Sequence, residues 1–558
     1  MAQSLLRPGD DDWEDVEELG SSHAVPPWAS TVLTGVDLMR NNKYNKGLAF
    51  TKEERDKLFL RGLLPAAVLG QDIQADRVLT NIRAQRGDVE RVSYLLALAE
   101  RNERLFHFLL RRHLSELLPL LQHPTIARYC DRYSLMFRSL PRGMFVGLDD
   151  AGQVASLLQN WPMRRVKLVS LTDGADLGTR GDWGVQSIAV PLSRMALLTA
   201  AGGPARLLRE ELLAAVRRRF GNSVFVDAAD MEYATAAELV VNHRASMPVY
   251  ADAIHGLPAT VLAGLYAALP ATGGSLSSQR FLLVGEDPEL AAVAELLEEA
   301  VQREHRSGTV WEARRAIWMV DGKGLLVRDR ESDVYEVADH LLPYIQDDEP
   351  ADTLLDAVRA VKPTVLIGLS KARPPAWAFG QEVVREMARH CPRPVIMPLS
   401  QRDADGIAGF AEVSAADAWE WSDGRALFAD ALPKSAPGVP LPPALEGESE
   451  AFEPRPANVA WVFPGLCHGV FLARSTRLRE DMLLAAARAV AEAVTDEDRA
   501  AGALYPPLTL LREVAVNVAA SVATIAYHSG VATNLPQPLD LHAKAEATMH
   551  DPTYRRYS

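Results

Sequence analysis

The hydrophobic residues change rhythm twice along this chain. From Val89 to Leu121 (VERVSYLLALAERNERLFHFLLRRHLSELLPLL) apolar positions recur every three or four residues, with one or two breaks. That spacing predicts successive amphipathic helices. Near Met144 the texture becomes β-rich: GMFVGLDD, RVKLVSLTDG and SVFVDAAD are short apolar runs ending in Gly or Asp, with helical stretches between them. A second series follows in RFLLVGED, AIWMVDGKG, PTVLIGLS, RPVIMPLS and ALFADAL. Strand-length runs alternating with helices predict parallel α/β architecture, the second series as a doubly wound sheet. Residues 432–457 are proline-rich and read as a loop. Two long helical patterns, 479–502 and 508–530, close the chain. No stretch reaches 18 uninterrupted apolar residues, so no transmembrane helix is expected. The expected fold class is therefore α/β, with a helical N-terminal region, an N-terminal α/β domain, a doubly wound domain and C-terminal helices. The boundaries read as an acidic tail over 1–30, domains over 31–268 and 269–545, and a tail over 546–558.

Composition narrows the function classes. Hydrophobic residues make up 48% of the 558 and charged ones 24%, a globular balance. A net charge of −14 argues against general affinity for nucleic acid or anionic membrane. Cys130, Cys391 and Cys467 are far apart, which suits a reducing compartment and gives no paired metal ligands. The start, MAQSLLRPGDDDWEDVEELG, resembles neither a signal peptide nor an Arg-rich transit peptide. A cytoplasmic address is expected, with mitochondrial association left open.

RFLLVGEDPELAAVAELLEEA, from Arg280 to Ala300, carries the most specific local signal. A strand runs into Gly285 and then into a helix, as in a dinucleotide fingerprint. There, further glycines let the backbone approach the pyrophosphate at the helix N-terminus. Here Glu286, Asp287 and Pro288 follow instead. The two acids repel a phosphate, yet acids and proline in the first turn favour the helix. Asp321, ending the next strand, stands where a ribose-binding acid would.

NKGLAFTKEERDKLFLRGLLP (Asn45 to Pro65), LLALAERNERLFHFLL, LPRGMFVGLDD, NWP followed by LVSLTDG, IWMVDGKGLL, KPTVLIGLS, WVFPGL and LYPPL occur in one order. Together they make the chain similar to malic enzymes over about residues 30 to 555. The resemblance implies an N-terminal malic-enzyme domain, a Rossmann-like NAD(P)-binding-type domain and a dimer or tetramer. It also implies oxidative decarboxylation of malate to pyruvate and CO2 with NAD or NADP and Mg²⁺ or Mn²⁺.

The positions that should carry this chemistry have changed. The family's acid, a tyrosine, falls on Gln122, which has no titratable proton. Its base, a lysine, falls on Arg194, which stays protonated. The arginine for the substrate carboxylate falls on Asp176, with Arg180 close by in sequence. Of the metal-binding carboxylates, Asp252 survives as a neighbour but Ala253 takes the ligand position, and the preceding pair aligns with Ala229 and Asp230. An alignment gap would shift that pair to Asp227. The substrate amides fall on Gln401 and Asn458, followed by Arg402 and Val459. Gly285 and Asp321 remain as vestiges of a cofactor site.

These losses, taken together, lead to the expectation of a malic-enzyme homologue without catalysis and with no cofactor. It would serve as a structural or regulatory subunit of a homo-oligomer, of a hetero-oligomer with an active paralogue, or of a larger assembly. The stripe containing Leu95, Leu96, Leu105 and Leu109 is expected to supply core and, in part, an association surface. Two alternatives stand beside it: an active malic enzyme using NAD(P) and a divalent metal, and a small-anion sensor using Arg180, Arg194 and Arg402. Cys467-His468 is a dyad in sequence only.

Overall fold

The structure is a computed structural model and describes residues 33–136, 143–150, 152–161, 166–174, 184–201, 211–229, 231–304, 309–330, 337–369, 378–400, 413–431 and 454–556. Asp176, Arg180, Asp230, Gln401 and Arg402 lie outside these residues. The chain forms two compact units. Unit 1 holds residues 1–170, 185–224 and 546–558, and unit 2 holds 171–184 and 225–545. Residues 225–268, assigned to the N-terminal domain on sequence, thus cluster with the C-terminal sheet.

Unit 1 is mainly helical in its described residues. Helices α1 (Gln71–Arg83), α2 (Asp88–Arg101) and α3 (Glu103–Arg112) follow one another closely. Asn102 separates α2 from α3, and its side chain accepts a hydrogen bond from the Leu105 N–H at 3.0 Å, capping α3. Leu95, Leu105 and Leu109 are buried within the unit and Leu96 is half-buried. The helical stripe is therefore mostly the unit's own core. Exposed apolar side chains lie elsewhere in unit 1: Phe59, Leu63, Val68 and Ile73. The expected strand in GMFVGLDD is absent. Leu148–Asp150 forms a 3-10 turn and Phe145 and Val146 are exposed, so the run has no sheet face to bury.

Strand β1 (Leu168–Leu171) precedes unit 2. Within unit 2, β2 (Phe225–Ala228) pairs in parallel with β3 (Val249–Ala251), Val226 opposite Val249. The larger sheet contains β4 (Phe281–Val284), β5 (Ile317–Asp321), β6 (Gly324–Leu325), β7 (Val365–Gly368), β8 (Val395–Pro398) and β9 (Leu427–Phe428). Their order is β6-β5-β4-β7-β8-β9, all parallel except β6. β4 is central, with β5 on one side and β7 on the other, so the strand order reverses there.

Both faces of this sheet are covered, which is why its strands read as continuous apolar runs rather than alternating ones. Leu282, Val284, Trp318, Val320, Leu366 and Ile396 share a core with helices over Leu354–Val361 and Gln381–His390. The alternate residues Phe281, Leu283, Ile317, Met319, Val365 and Val395 are equally buried. On that side, Met397 reaches Gly264 in the helix Leu257–Thr272. The architecture is the doubly wound, Rossmann-like one expected from sequence.

Two helical segments, Asp252–Thr272 and Leu508–His528, are long and apolar enough to cross a membrane by length and composition. The first is 61% and the second 44% buried inside the fold, and single core helices of this kind meet the same measure. Neither holds 18 uninterrupted apolar residues, because occasional polar residues break the run. Helix Leu257–Thr272 is apolar all round because it is packed all round: its Thr260 carbonyl accepts the Tyr505 hydroxyl at 2.8 Å, also in the core.

Candidate functional site

In an open α/β sheet, ligands are met outside the carboxyl ends of the strands where the order reverses. Here that place is the loop after β4. Gly285 has φ 141°, and its N–H donates to the Val320 carbonyl at 2.9 Å. A Cβ at Gly285 would overlap the carbonyl oxygen of Leu369, the residue after β7. Only glycine fits this turn, so the tight bend expected from sequence is present.

The two residues that replace glycines serve the protein itself. Glu286 extends to the next strand end, where its carboxylate accepts the Gly322 N–H at 2.6 Å. Its carbonyl oxygen lies 2.9 Å from His340 Nε2. Asp287 accepts the Leu290 N–H through its carbonyl at 2.9 Å, opening the helix Pro288–Glu304. Asp321 ends β5 as anticipated, and it is buried. Arg330 grips both of its carboxylate oxygens at 2.8 and 2.7 Å, and the Lys323 N–H donates to Oδ1 at 2.9 Å. Sequence reasoning missed Arg330. Its only signal was a basic residue nine positions after a strand-end acid, across a two-residue strand. The residues present therefore do not fit a dinucleotide bound in the usual way. The phosphate loop carries negative charge, and the ribose acid is occupied by an arginine fork.

The second cluster surrounds Asp252. β3 ends at Ala251 and a π-helical turn spans Asp252–Gly256. Tyr250 and Asp252 are two apart, so the extended chain points both side chains the same way. The Tyr250 hydroxyl accordingly donates to Asp252 Oδ1 at 2.7 Å. The Ala251 N–H donates to His255 Nδ1 at 3.1 Å, and the Tyr250 and His255 rings stack with centroids 5.8 Å apart. Burial, opposed by the nearby Asp252 carboxylate, lowers the His255 pKa to about 4. The imidazole is neutral at ordinary pH and already engaged through one nitrogen. Gly256 completes the turn, since a Cβ there would strike the Tyr250 hydroxyl.

A magnesium or manganese ion needs several hard oxygens. This cluster offers one carboxylate that already accepts a tyrosine hydroxyl, an alanine beside it, and an imidazole whose Nδ1 already accepts the Ala251 N–H. Among the described residues, no group of three or more His, Cys, Asp or Glu is placed to hold a metal. The alternative register brings in Asp227, which lies on β2 and is fully buried.

The remaining positions have structural roles or belong to the other unit. Asn458 accepts the Ala460 N–H at 2.9 Å and caps the turn Val459–Trp461. Gln122 follows the turn Leu118–Leu121 and its backbone carbonyl accepts the Ile126 N–H at 3.0 Å. Arg194 is half-buried on helix Ala189–Ala201. Gln122 and Arg194 belong to unit 1, whereas Asp252, Asn458, Gly285 and Asp321 belong to unit 2. Cys467 and His468 are both buried, and His468 Nε2 lies 3.1 Å from the Ala545 carbonyl. An open cleft of about 440 Å³ in unit 1 went unnoticed on sequence. Arg77, Arg101, Asn45, Gln74, Asn81 and Asn102 line it among others.

The comparisons agree with this geometry at the level of family. Residues 99–209 match the malic enzyme N-terminal domain and 254–527 the malic enzyme NAD binding domain. The chain is 36% identical over 580 residues to the chloroplastic NADP-dependent malic enzyme of Oryza sativa subsp. japonica, covering 97% of this chain and 88% of that protein. It is 36% identical over 572 residues to the NADP-dependent malic enzyme of Phaseolus vulgaris, covering 96% and 94%. Among solved structures it resembles Entamoeba histolytica malic enzyme (TM-score 0.52, 17% identity, 80% of this chain and 88% of that one). A malic enzyme from Pyrococcus horikoshii Ot3 is similar at TM-score 0.52 and 18% identity, over 77% and 88%. At those identities the structures speak to the fold alone. The near full-length match to the plant proteins settles the family: this chain is a member of the malic enzyme family.

Proposed function

We propose that this chain is a malic-enzyme family member that has lost catalysis and the dinucleotide, and serves as a structural or regulatory subunit of an oligomer or larger assembly. The observation that carries the reading is Glu286: the residue after the Gly285 turn places a carboxylate on the Gly322 N–H, at the strand ends where the pyrophosphate would lie. Gln122 and Arg194 at the acid and base positions, and Ala253 beside a tyrosine-bound Asp252, support it. Each of these removes a different device, so restoring one leaves the others missing. Partners, cytoplasmic location and the loss of the metal belong to the same proposal.

The test is direct. The purified chain is assayed for malate-dependent reduction of NAD and NADP with Mg²⁺ or Mn²⁺, and titrated calorimetrically with both dinucleotides. No turnover above background and no micromolar affinity are expected. Turnover abolished by EDTA would instead establish an active enzyme. Light scattering tests the subunit role: the chain is expected to associate, and Phe59→Glu with Ile73→Glu to weaken association, because both side chains are exposed and apolar. A wild-type monomer that co-purifies with nothing would sink the subunit role.

A second reading has one observation in its favour. The unit 1 cleft carries Arg77 and Arg101, whose guanidinium groups suit a small carboxylate or phosphate. Anion sensing there would appear as a rise in melting temperature with added dicarboxylate, lost in Arg77→Ala.

A further inference from the structure

Unit 1 buries an unusual set of polar side chains. Lys46 is 3% exposed, Asn102 5%, Gln71 8% and Arg104 8%. Buried polar groups of this kind require partners. Lys46 forms a buried ion pair with Glu54 at 2.5 Å. The other partners common to the four side chains come from the last residues of the same chain, more than 440 positions away.

The pattern of these bonds is that of peptide recognition. Gln71 uses both ends of its amide: Nε2 donates to the Pro552 carbonyl at 2.9 Å, and Oε1 accepts the Tyr554 N–H at 2.8 Å. Arg104 donates to the Thr553 carbonyl at 3.1 Å, and Lys46 Nζ to the Arg555 carbonyl at 2.7 Å. Four contacts thus read main-chain groups on four consecutive residues. One contact reads a side chain, Asn102 Nδ2 to the Tyr554 hydroxyl at 2.6 Å. Arg111 adds a looser ion pair to Asp551 at 3.8 Å.

The segment itself behaves as a ligand does. Residues 551–556 form no helix or strand. Pro552 is buried and Tyr554 half-buried, while Asp551, Thr553, Arg555 and Arg556 are exposed. This in-out alternation is how an extended peptide lies in a groove, with backbone bonds supplying adhesion and alternate side chains supplying selectivity. With only Pro552 and Tyr554 contributing apolar burial, the segment opens at a lower cost than the helical core beneath it.

We propose that unit 1 carries a peptide-recognition groove built from Lys46, Gln71, Asn102 and Arg104, and that Asp551–Arg556 is its ligand in cis, a separable latch. The groove selects an extended segment with a tyrosine two residues after a proline. When the cis segment leaves, the groove accepts the same segment supplied in trans, such as the tail of a second copy of this chain. This goes beyond the subunit role above and holds whether or not the chain turns over malate.

The test uses the full chain and a labelled synthetic peptide of sequence HDPTYRR, residues 550–556, followed by fluorescence anisotropy. The wild-type groove is occupied, so weak binding is expected. Tyr554→Ala weakens the cis latch and is expected to bind the peptide saturably and at least tenfold more tightly than wild type. Adding Gln71→Ala to that variant is expected to reverse the gain at least tenfold, as is replacing the peptide tyrosine by alanine. A folded Tyr554→Ala chain that binds no better than wild type would overturn the proposal. So would a Tyr554→Ala chain with no native circular dichroism, because the tail would then be an inseparable part of the core. In that case Tyr554→Phe, which loses only the Asn102 bond, is expected to show unchanged amide protection across 551–556.

Discussion

At the end of β4, Glu286 stays at the surface and its carboxylate holds a single backbone N–H. In unit 1, four buried side chains enclose residues 552–555 with five hydrogen bonds. Both places hold polar groups where another molecule or segment is met, and they differ in who supplies the partner. After β4 a doubly wound sheet meets its ligand. Here the positions facing it have become residues that favour the following helix and bond to the neighbouring strand end. In unit 1 the partner is this chain's own tail, and it pairs the buried side chains that face it. An unpaired buried polar group is costly, so such a set persists only while something fills it. The backbone of the turn survives for a different reason: the sheet needs it whether or not a ligand arrives.

The largest effects are expected where each region is least forgiving. Lys46→Met removes one partner of a buried ion pair and strands Glu54, at a cost of roughly 3–5 kcal/mol. Urea denaturation measures it, and Lys46→Met/Glu54→Leu should regain much of the loss. If the single variant is as stable as wild type, the polar set beneath the tail is not what orders it. In unit 2, Gly285→Ala places a Cβ on the Leu369 carbonyl at a φ that side chains rarely adopt. The loss is expected to be about 2–4 kcal/mol from strain and overpacking together. A change under about 0.5 kcal/mol would show that the turn is not structurally required.

The sheet was legible because buried parallel strands are continuous apolar runs punctuated by Gly or Asp. β4, β5, β7 and β9 follow that rule, and β8 is an equally apolar run that ends in Pro398. β6, two residues long, leaves no such run, and the stripe at Val89–Leu121 could not say whether it faced core or partner. At the Asp252 site the sequence led to the expectation of a missing ligand at Ala253. It revealed the occupied one less plainly, although a tyrosine two residues before an acid on one strand face was the available signal. The tail groove was illegible: its two halves are separated by most of the chain, and no local pattern marks a glutamine that will later bond a distant backbone.

The Asp252 cluster gives a pH-dependent contrast of intermediate size. Folding lowers the His255 pKa from its ordinary value to about 4, mainly through burial, with the Asp252 carboxylate opposing. The unfolded chain therefore binds more protons between about pH 4 and 6.5, and the contribution is present above 6.5 and lost as pH falls towards 4. Because the ring is only half-buried, the expected loss is on the order of 2 kcal/mol rather than the full shift. Urea midpoints for wild type and His255→Gln across pH 4 to 7 isolate it. Parallel curves for the two proteins would remove His255 from the account.

The smallest stability effect is expected at Glu286, and it bears most closely on the comparison. Its carboxylate is exposed and satisfies one N–H that water would otherwise reach, so Glu286→Ala should cost no more than about 1 kcal/mol. Glu286→Gln keeps an acceptor for Gly322 without the charge and should cost less. Neither substitution touches Asp287, Pro288 or the Arg330 fork on Asp321, so neither is expected to bring micromolar dinucleotide affinity by calorimetry. The turn would then be closed to a dinucleotide by several residues acting together. If Glu286→Ala alone gained micromolar affinity for NAD or NADP, one carboxylate would be the whole barrier. The contrast with the tail groove, where one side chain amide serves two bonds to a native peptide, would shrink to a single substitution.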